Sequence, residues 1–270
     1  MPRAVPAPAG WTPALAKGFA PACACAPEGA VARPVAGLVA RPVAGLLACA
    51  LTLAFALVPL PAAAQAVVGS VGVASADRYR GLESIVPGPV LRAGASLDTP
   101  MGLYASGAAQ WLVDAHDWGR SQVLVGWTHP VAGAWSLDTG VARSFFGADH
   151  DYDFTEWMVG AVHPDGTVRA WWSRHYFGQR PASVYVDGNA SFALSSRWRA
   201  VGHLGWLTYI GTQYGYRWDS RADALAGLAW SQGDLDVRLT VDGLLSGRPP
   251  SAETDGHTGA AVVLAVSRAF

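Results

Sequence analysis

The stretch Thr258–Phe270, TGAAVVLAVSRAF, decides how this chain is read. Taken every second residue from the end, Phe270, Val266, Leu264, Val262 and Ala260 share one side, with Arg268 as its one charged member. Ala269, Ser267, Ala265, Val263, Ala261 and Gly259 take the other. Successive side chains of an extended strand point to opposite faces, so this period predicts a strand. Its apolar side ends on an aromatic ring at the last residue of the sequence. What such a strand pairs with must come from the rest of the chain.

The chain beyond Cys49 is cut from similar material. Only 14% of the sequence is charged, below the usual quarter for soluble domains. The formal net charge is −1, which gives nucleic acid no electrostatic footprint to bind. Cys23, Cys25 and Cys49 all lie near the start, so the remainder has neither a disulfide framework nor a cysteine metal site.

From Val67 onward no segment has helical period. Alternation recurs instead in Val67–Ser75, Leu91–Asp98, Leu103–Val113, Gln122–His129, Ala134–Phe145 and Asp153–His163. It continues in Thr167–Tyr176, Ala182–Leu194, Trp198–Tyr209, Arg221–Trp230 and Asp234–Asp242. The last is the cleanest: Leu235, Val237, Leu239 and Val241 oppose Asp234, Asp236, Arg238, Thr240 and Asp242. With the terminal strand, the count comes to about twelve, an even number as up-and-down barrels require.

Connections alternate in length. Those around Pro100, Pro130, Asp165, Ser196 and Gln232 are tight. Those over Ala76–Val90, Asp114–Arg120, Phe146–Tyr152, Phe177–Pro181, Ile210–Ser220 and Leu244–His257 are longer and rich in Gly, Pro and Asp. Aromatics gather at strand ends: Trp135, Trp198, Trp230 and Phe270 beside tight turns, and Trp111, Phe145, Phe146, Tyr176 and Tyr209 beside long loops. Short turns on one rim, long loops on the other and a ring of aromatics at each describe a transmembrane β-barrel. A soluble β-sandwich or barrel would also alternate, with its charged face outward. The fold expected is all-β: a transmembrane up-and-down antiparallel barrel over residues 67–270.

Residues 1–66 read as a low-complexity leader and secretory signal peptide. VARPVAGL at Val31–Leu38 repeats at Val39–Leu46. After Arg33 and Arg41 comes LLACALTLAFALVPLP and then AAAQA, a basic region, an apolar run and a small-residue site with cleavage expected near Ala64 or Ala66. The run is short for a span of ~20 residues and ends at Pro59 and Pro61, which argues against an anchor.

With the apolar face toward lipid, the polar face lines the interior. Its candidate lining residues are Arg92, Asp138, Glu156, Arg169, His175, Asp187, Arg199, His203, Arg221, Asp223, Asp236, Arg238 and Asp242. Charges of both signs on a pore wall set ion selectivity by their positions. The same charges can instead pair across a narrow lumen and plug it. The residue types allow two other chemistries. Asp149–Asp153, DHDYD, could offer oxygen ligands to Ca²⁺, or be a solvated acidic loop, the preferred reading. Ser173, His175 and Asp187 have the residue types of a hydrolase triad, acting on lipid or peptide. No phosphate loop, dinucleotide glycine pattern or zinc spacing is present, and neither an enzyme nor a cofactor is expected.

The terminal Phe270 resembles the assembly signal of bacterial outer-membrane barrels. Ser75-Ala76-Asp77-Arg78-Tyr79-Arg80-Gly81, followed by Pro89, Gly94, Asp98, Gly102 and Tyr104, resembles the opening of the TorF-type outer-membrane porins. These resemblances imply an outer-membrane location. The partners would be lipid, lipopolysaccharide, the barrel-assembly machinery and small polar solutes. Within the porin-like motif, Asp77, Arg80 and Gly81 are the residues of interest. Arg80 reads as a tie from a strand end to a neighbouring carboxylate, with Gly81 at positive φ.

Overall fold

The computed structural model describes residues 66–83, 88–113, 119–146, 150–211, 219–247 and 259–270. The expected leader lies outside them, apart from Ala66, which opens the first strand.

Strand β1 is Ala66–Ala74, and two short strands, β2 (Arg78–Tyr79) and β3 (Leu82–Glu83), form a hairpin of their own. The wall continues with β4 (Val90–Asp98), β5 (Leu103–Leu112), β6 (Gly119–Ala132), β7 (Trp135–Phe146) and β8 (Phe154–His163). It finishes with β9 (Gly166–Ser173), β10 (Ala182–Ala193), β11 (Trp198–Ile210), β12 (Arg221–Gln232), β13 (Leu235–Ser246) and β14 (Ala261–Ala269). Strands β4 to β14 pair antiparallel in chain order. β1 closes the ring between β4 and β14, giving a closed barrel of the expected strand number.

Closure removes every free sheet edge, the condition for a sheet to stand in hydrocarbon. The seam is finished by the last residue. Phe270 N donates to Gly69 O at 3.0 Å, and Gly69 N donates to Phe270 O at 2.9 Å. The Phe270 ring lies over Gly69, in the space a Cβ would take. Glycine at position 69 lets that ring lie there without a shift.

The period-two alternation sorts the side chains as the sequence predicts. Outward positions carry Val71, Val125, Val159, Val168, Leu204, Leu239 and Val262, all without protein cover. A contiguous apolar surface of this kind on a folded chain marks contact with something apolar. Trp127, Trp135, Trp198 and Phe270 sit outward at the tight-turn rim, and Trp111 and Phe145 outward at the other. Both rims therefore carry aromatic anchors.

The second rim departs from expectation. Phe146, Tyr176 and Tyr209 do not face outward; all three are buried in the lumen. Phe146 is in phase with Asp138 and Ser144, and Tyr209 with Arg199 and His203, so strand parity turns them inward. Tyr176 lies past the end of β9 in a short 3-10 turn, Tyr176–Gly178.

The outward belt gives a direct test of the membrane reading. Leu204, at the middle of β11, is 64% exposed. Leu204→Arg should destabilise the vesicle-inserted barrel by ~2–4 kcal/mol, measured by reversible guanidinium unfolding. An exposed site on a soluble protein would change by no more than ~0.5 kcal/mol.

Candidate functional site in the barrel lumen

Part of the lumen is filled by the chain itself. After β1, residues Asp77–Leu82 turn inward, and Asp77, Arg78, Tyr79, Arg80 and Leu82 are all buried. Arg80 and Gly81 form the tip, both at positive φ (49° and 77°). A Cβ on Gly81 would stand 2.6 Å from Asp223 Cβ and 2.8 Å from Leu244 Cδ2, so glycine alone lets the tip seat against β12 and β13.

Arg80 is the centre of this plug. Its Nη2 donates to both carboxylate oxygens of Glu156, at 2.8 and 2.9 Å. Its guanidinium carbon lies 4.0 Å from the Tyr185 ring centroid, 4.7 Å from Tyr79 and 5.0 Å from Tyr176. A buried cation needs an ion partner, and aromatic faces add to it; Arg80 has both. Burial pushes the Tyr79 phenol well above its ordinary pKa, so it meets Arg80 as a neutral ring. Tyr79, Phe146, Phe154, Tyr176, Phe177, Tyr185, Leu207 and Tyr209 form one apolar cluster around the hairpin. Arg78 Nη2 donates to Gly81 O and to Gly259 O, each at 2.8 Å, and its Nε lies 3.8 Å from Asp242.

The inner wall is tied by polar pairs along its length. Asp138, with no solvent exposure, accepts from Tyr104 Oη at 2.8 Å and from Arg169 Nε at 3.0 Å. Asp187 accepts from Trp171 Nε1 and Asn189 Nδ2, both at 2.6 Å. His203 sits between Asn189 Oδ1 at 2.8 Å and Asp223 Oδ1 at 2.9 Å, and Tyr185 Oη also reaches Asp223. Arg221 is fully buried, with Nη2 3.4 Å from Tyr176 Oη. Such networks are stabilising only when their members are satisfied, and here each carboxylate has its donors.

Elsewhere the lumen is open, from the tight turns at Ser195 and Gly233 to Arg92, Gln110 and Arg120 near the long-loop ends of β4, β5 and β6. A cavity of about 640 Å³ is lined by Arg92, Gln110, Arg120, Arg199, Asp236 and Arg238, among others. Asp236 pairs with both Arg199 and Arg238, and Ser231 Oγ donates to it at 2.8 Å. Arg92 Nη2 reaches up to Ala76 O at 3.3 Å, at the foot of the hairpin.

Of the candidate lining residues, all but one lie on inward positions of the wall. The exception is His175, which is exposed beyond the end of β9. The strand stops at Ser173 because the chain bends there into the Tyr176–Gly178 turn. The triad is therefore not assembled: His175 is exposed past the end of β9, Ser173 is buried on β9, and Asp187 is held by Trp171 and Asn189. In the acidic loop, Asp149 lies outside the described residues. Asp153 Oδ1 accepts from Phe146 N at 2.8 Å, and its Oδ2 faces His150 and Arg143. Among the described residues, no group of His, Cys, Asp and Glu is arranged to hold a metal.

Arg120, expected at the end of the Asp114–Arg120 connection, is on β6, buried, with its guanidinium 5.1 Å from the Tyr79 ring. Its parity with Gln122 is the signal that could have found it. Tyr104 and Gln110, on inward positions of β5, hold Asp138 and Asp77 respectively.

No family model matches the sequence, and no curated protein matches it. Among solved structures, the NanC porin aligns with a TM-score of 0.51 at 13% identity, over 76% of this chain and 99% of that one. The chain has a porin's fold. The KdgM porin aligns at 9% identity and a TM-score of 0.48, over 76% of this chain and 98% of that one. At such identity the likeness to the NanC porin is one of architecture, and what the lumen does must be argued from its own residues.

Proposed function

We propose that this chain is an outer-membrane porin-like channel. It would carry small polar solutes or ions by passive diffusion, with the Asp77–Leu82 hairpin setting its constriction. The observation that carries the reading is the pairing of an apolar outer belt with a polar lumen that holds a solute-sized cavity. A single inward-folded segment narrows the lumen, and charged residues of both signs stand on the wall around it. The signal peptide would deliver the chain to the periplasm, the assembly machinery would read its terminal aromatic strand, and the outward Arg143 would meet lipopolysaccharide phosphates. Asp77, Arg80 and Gly81 then have a common role: they build the plug.

Planar-bilayer recording tests this. Refolded protein should give discrete conductance steps. A barrel that is folded by circular dichroism and heat-modifiable migration, yet electrically silent, would overturn the channel reading. It would favour a plugged structural barrel, to which the buried hairpin and aromatic cluster also point.

A further inference from the structure

We propose that His203 is a proton-operated latch on the lumenal hairpin: its imidazolium form holds the seat of the plug, and loss of the proton releases it. The effect on current rests on the channel reading; the movement of the hairpin does not. His203 is on the inward face of β11, between β10 and β12. Its Nδ1 lies 2.8 Å from Asn189 Oδ1, and its Nε2 lies 2.9 Å from Asp223 Oδ1. Asn189 Nδ2 donates to Asp187 at 2.6 Å, so the amide turns its oxygen, an acceptor, to the ring. An ionised carboxylate also only accepts. Both ring nitrogens therefore face acceptors, and only the imidazolium carries a proton on each.

The plug rests on the partners of this histidine. Tyr185 Oη donates to Asp223 Oδ2 at 3.2 Å and lies 3.0 Å from His203 Nε2. The Arg80 guanidinium stacks on the Tyr185 ring, and a Cβ on Gly81 would stand 2.6 Å from Asp223 Cβ. The two tip residues of the hairpin thus sit on the two groups that His203 ties together. Without its Nε2 proton the ring becomes an acceptor there and competes for the Tyr185 hydroxyl. Asp223, which is 1% exposed, then faces a lone pair where it had a donor. A buried carboxylate that loses its donors is costly, and lifting the tip lets water replace them. The other charged groups around the ring have partners of their own. Asp187 is held by Trp171 and Asn189, Asp242 faces Arg78, and Arg80 pairs with Glu156. Among the described residues, Asp223 is the carboxylate that depends on the histidine.

Leu82→Cys, at a buried position of β3, reports the hairpin. Its maleimide labelling, scaled at each pH to the same protein unfolded, should become about tenfold faster as the pH is raised above neutral. Conductance should rise with it. The tie exists with the imidazolium, so it is present at lower pH and lost as the pH rises. Acid is avoided because protonating Glu156 would free Arg80 by another route. His203→Gln keeps a donor for Asp223 but cannot titrate, and its labelling should be flat. Asn189→Ala removes the acceptor at Nδ1 and should move the transition to lower pH. Flat labelling in the parent, or an equal rise in His203→Gln, would overturn the latch. Conduction with flat labelling leaves the channel standing without it. A silent barrel with pH-dependent labelling that His203→Gln abolishes supports the latch and overturns the channel. If His203→Gln does not fold, Asn189→Ala decides: an unmoved transition refutes the proposal.

Discussion

Glu156→Gln should unseat the lumenal hairpin. The Arg80 guanidinium is buried, and among the described residues Glu156 is the carboxylate it pairs with. Removing the negative charge leaves a buried cation facing three tyrosine rings, which cannot replace an ion pair. Breaking a buried pair in this way costs about 3–5 kcal/mol. The barrel ladder is independent of that pair, so the penalty falls on the hairpin, which can escape it by leaving the lumen. Residues 67–270 contain no cysteine, so Leu82→Cys provides a clean reporter at a buried position. Its maleimide labelling should be slow alone and about two to three orders of magnitude faster with Glu156→Gln. Single-channel conductance should rise in parallel. Unchanged labelling would show that Arg78 and the aromatic cluster hold the hairpin without Arg80.

Deleting Phe270 should impair assembly and weaken the closed barrel. The seam between β1 and β14 is short, running from Ser70 opposite Ala269 to Ala74 opposite Ala265. Phe270 extends it by its reciprocal backbone bonds with Gly69 and covers Gly69 with its ring. Two hydrogen bonds at ~1 kcal/mol each give a loss of at least about 2 kcal/mol before the ring is counted. Refolding yield into vesicles should fall severalfold, and the guanidinium midpoint should drop. Phe270→Leu keeps the backbone bonds and should fall between the parent and the deletion. A deletion that inserts and unfolds like the parent would show that closure does not depend on this residue.

The barrel was legible because its physics is local. A strand with lipid on one side and a polar lumen on the other must alternate, so Leu235–Val241 against Asp234–Asp242 could be read directly. Strand ends were less legible. β6 runs on through Pro130, with a register irregularity between Pro130 and Ala132, because a proline can sit where the ladder is already broken. The lining charges followed from parity, His175 apart. The plug did not, since strands of two residues have no period to detect. Only Arg80 as a tie and Gly81 at positive φ could be anticipated. Neither residue shows from sequence that the turn points into the barrel. That direction depends on Glu156, far along the chain, and on the tyrosines that surround the cation.

The anchoring of Arg78 to Gly259 O joins the two ends of the molecule. Gly259 lies just before β14, and Ser75, just before the hairpin, exchanges hydrogen bonds with Leu264 within β14. The final strand therefore cannot find its place beside β1 without also meeting the root of the hairpin. These contacts join opposite ends of the sequence, so they are the costliest in loop entropy and the latest to form. Stopper and zip therefore share a fastening: a change that loosens the root of the hairpin should also loosen the seam that closes the wall.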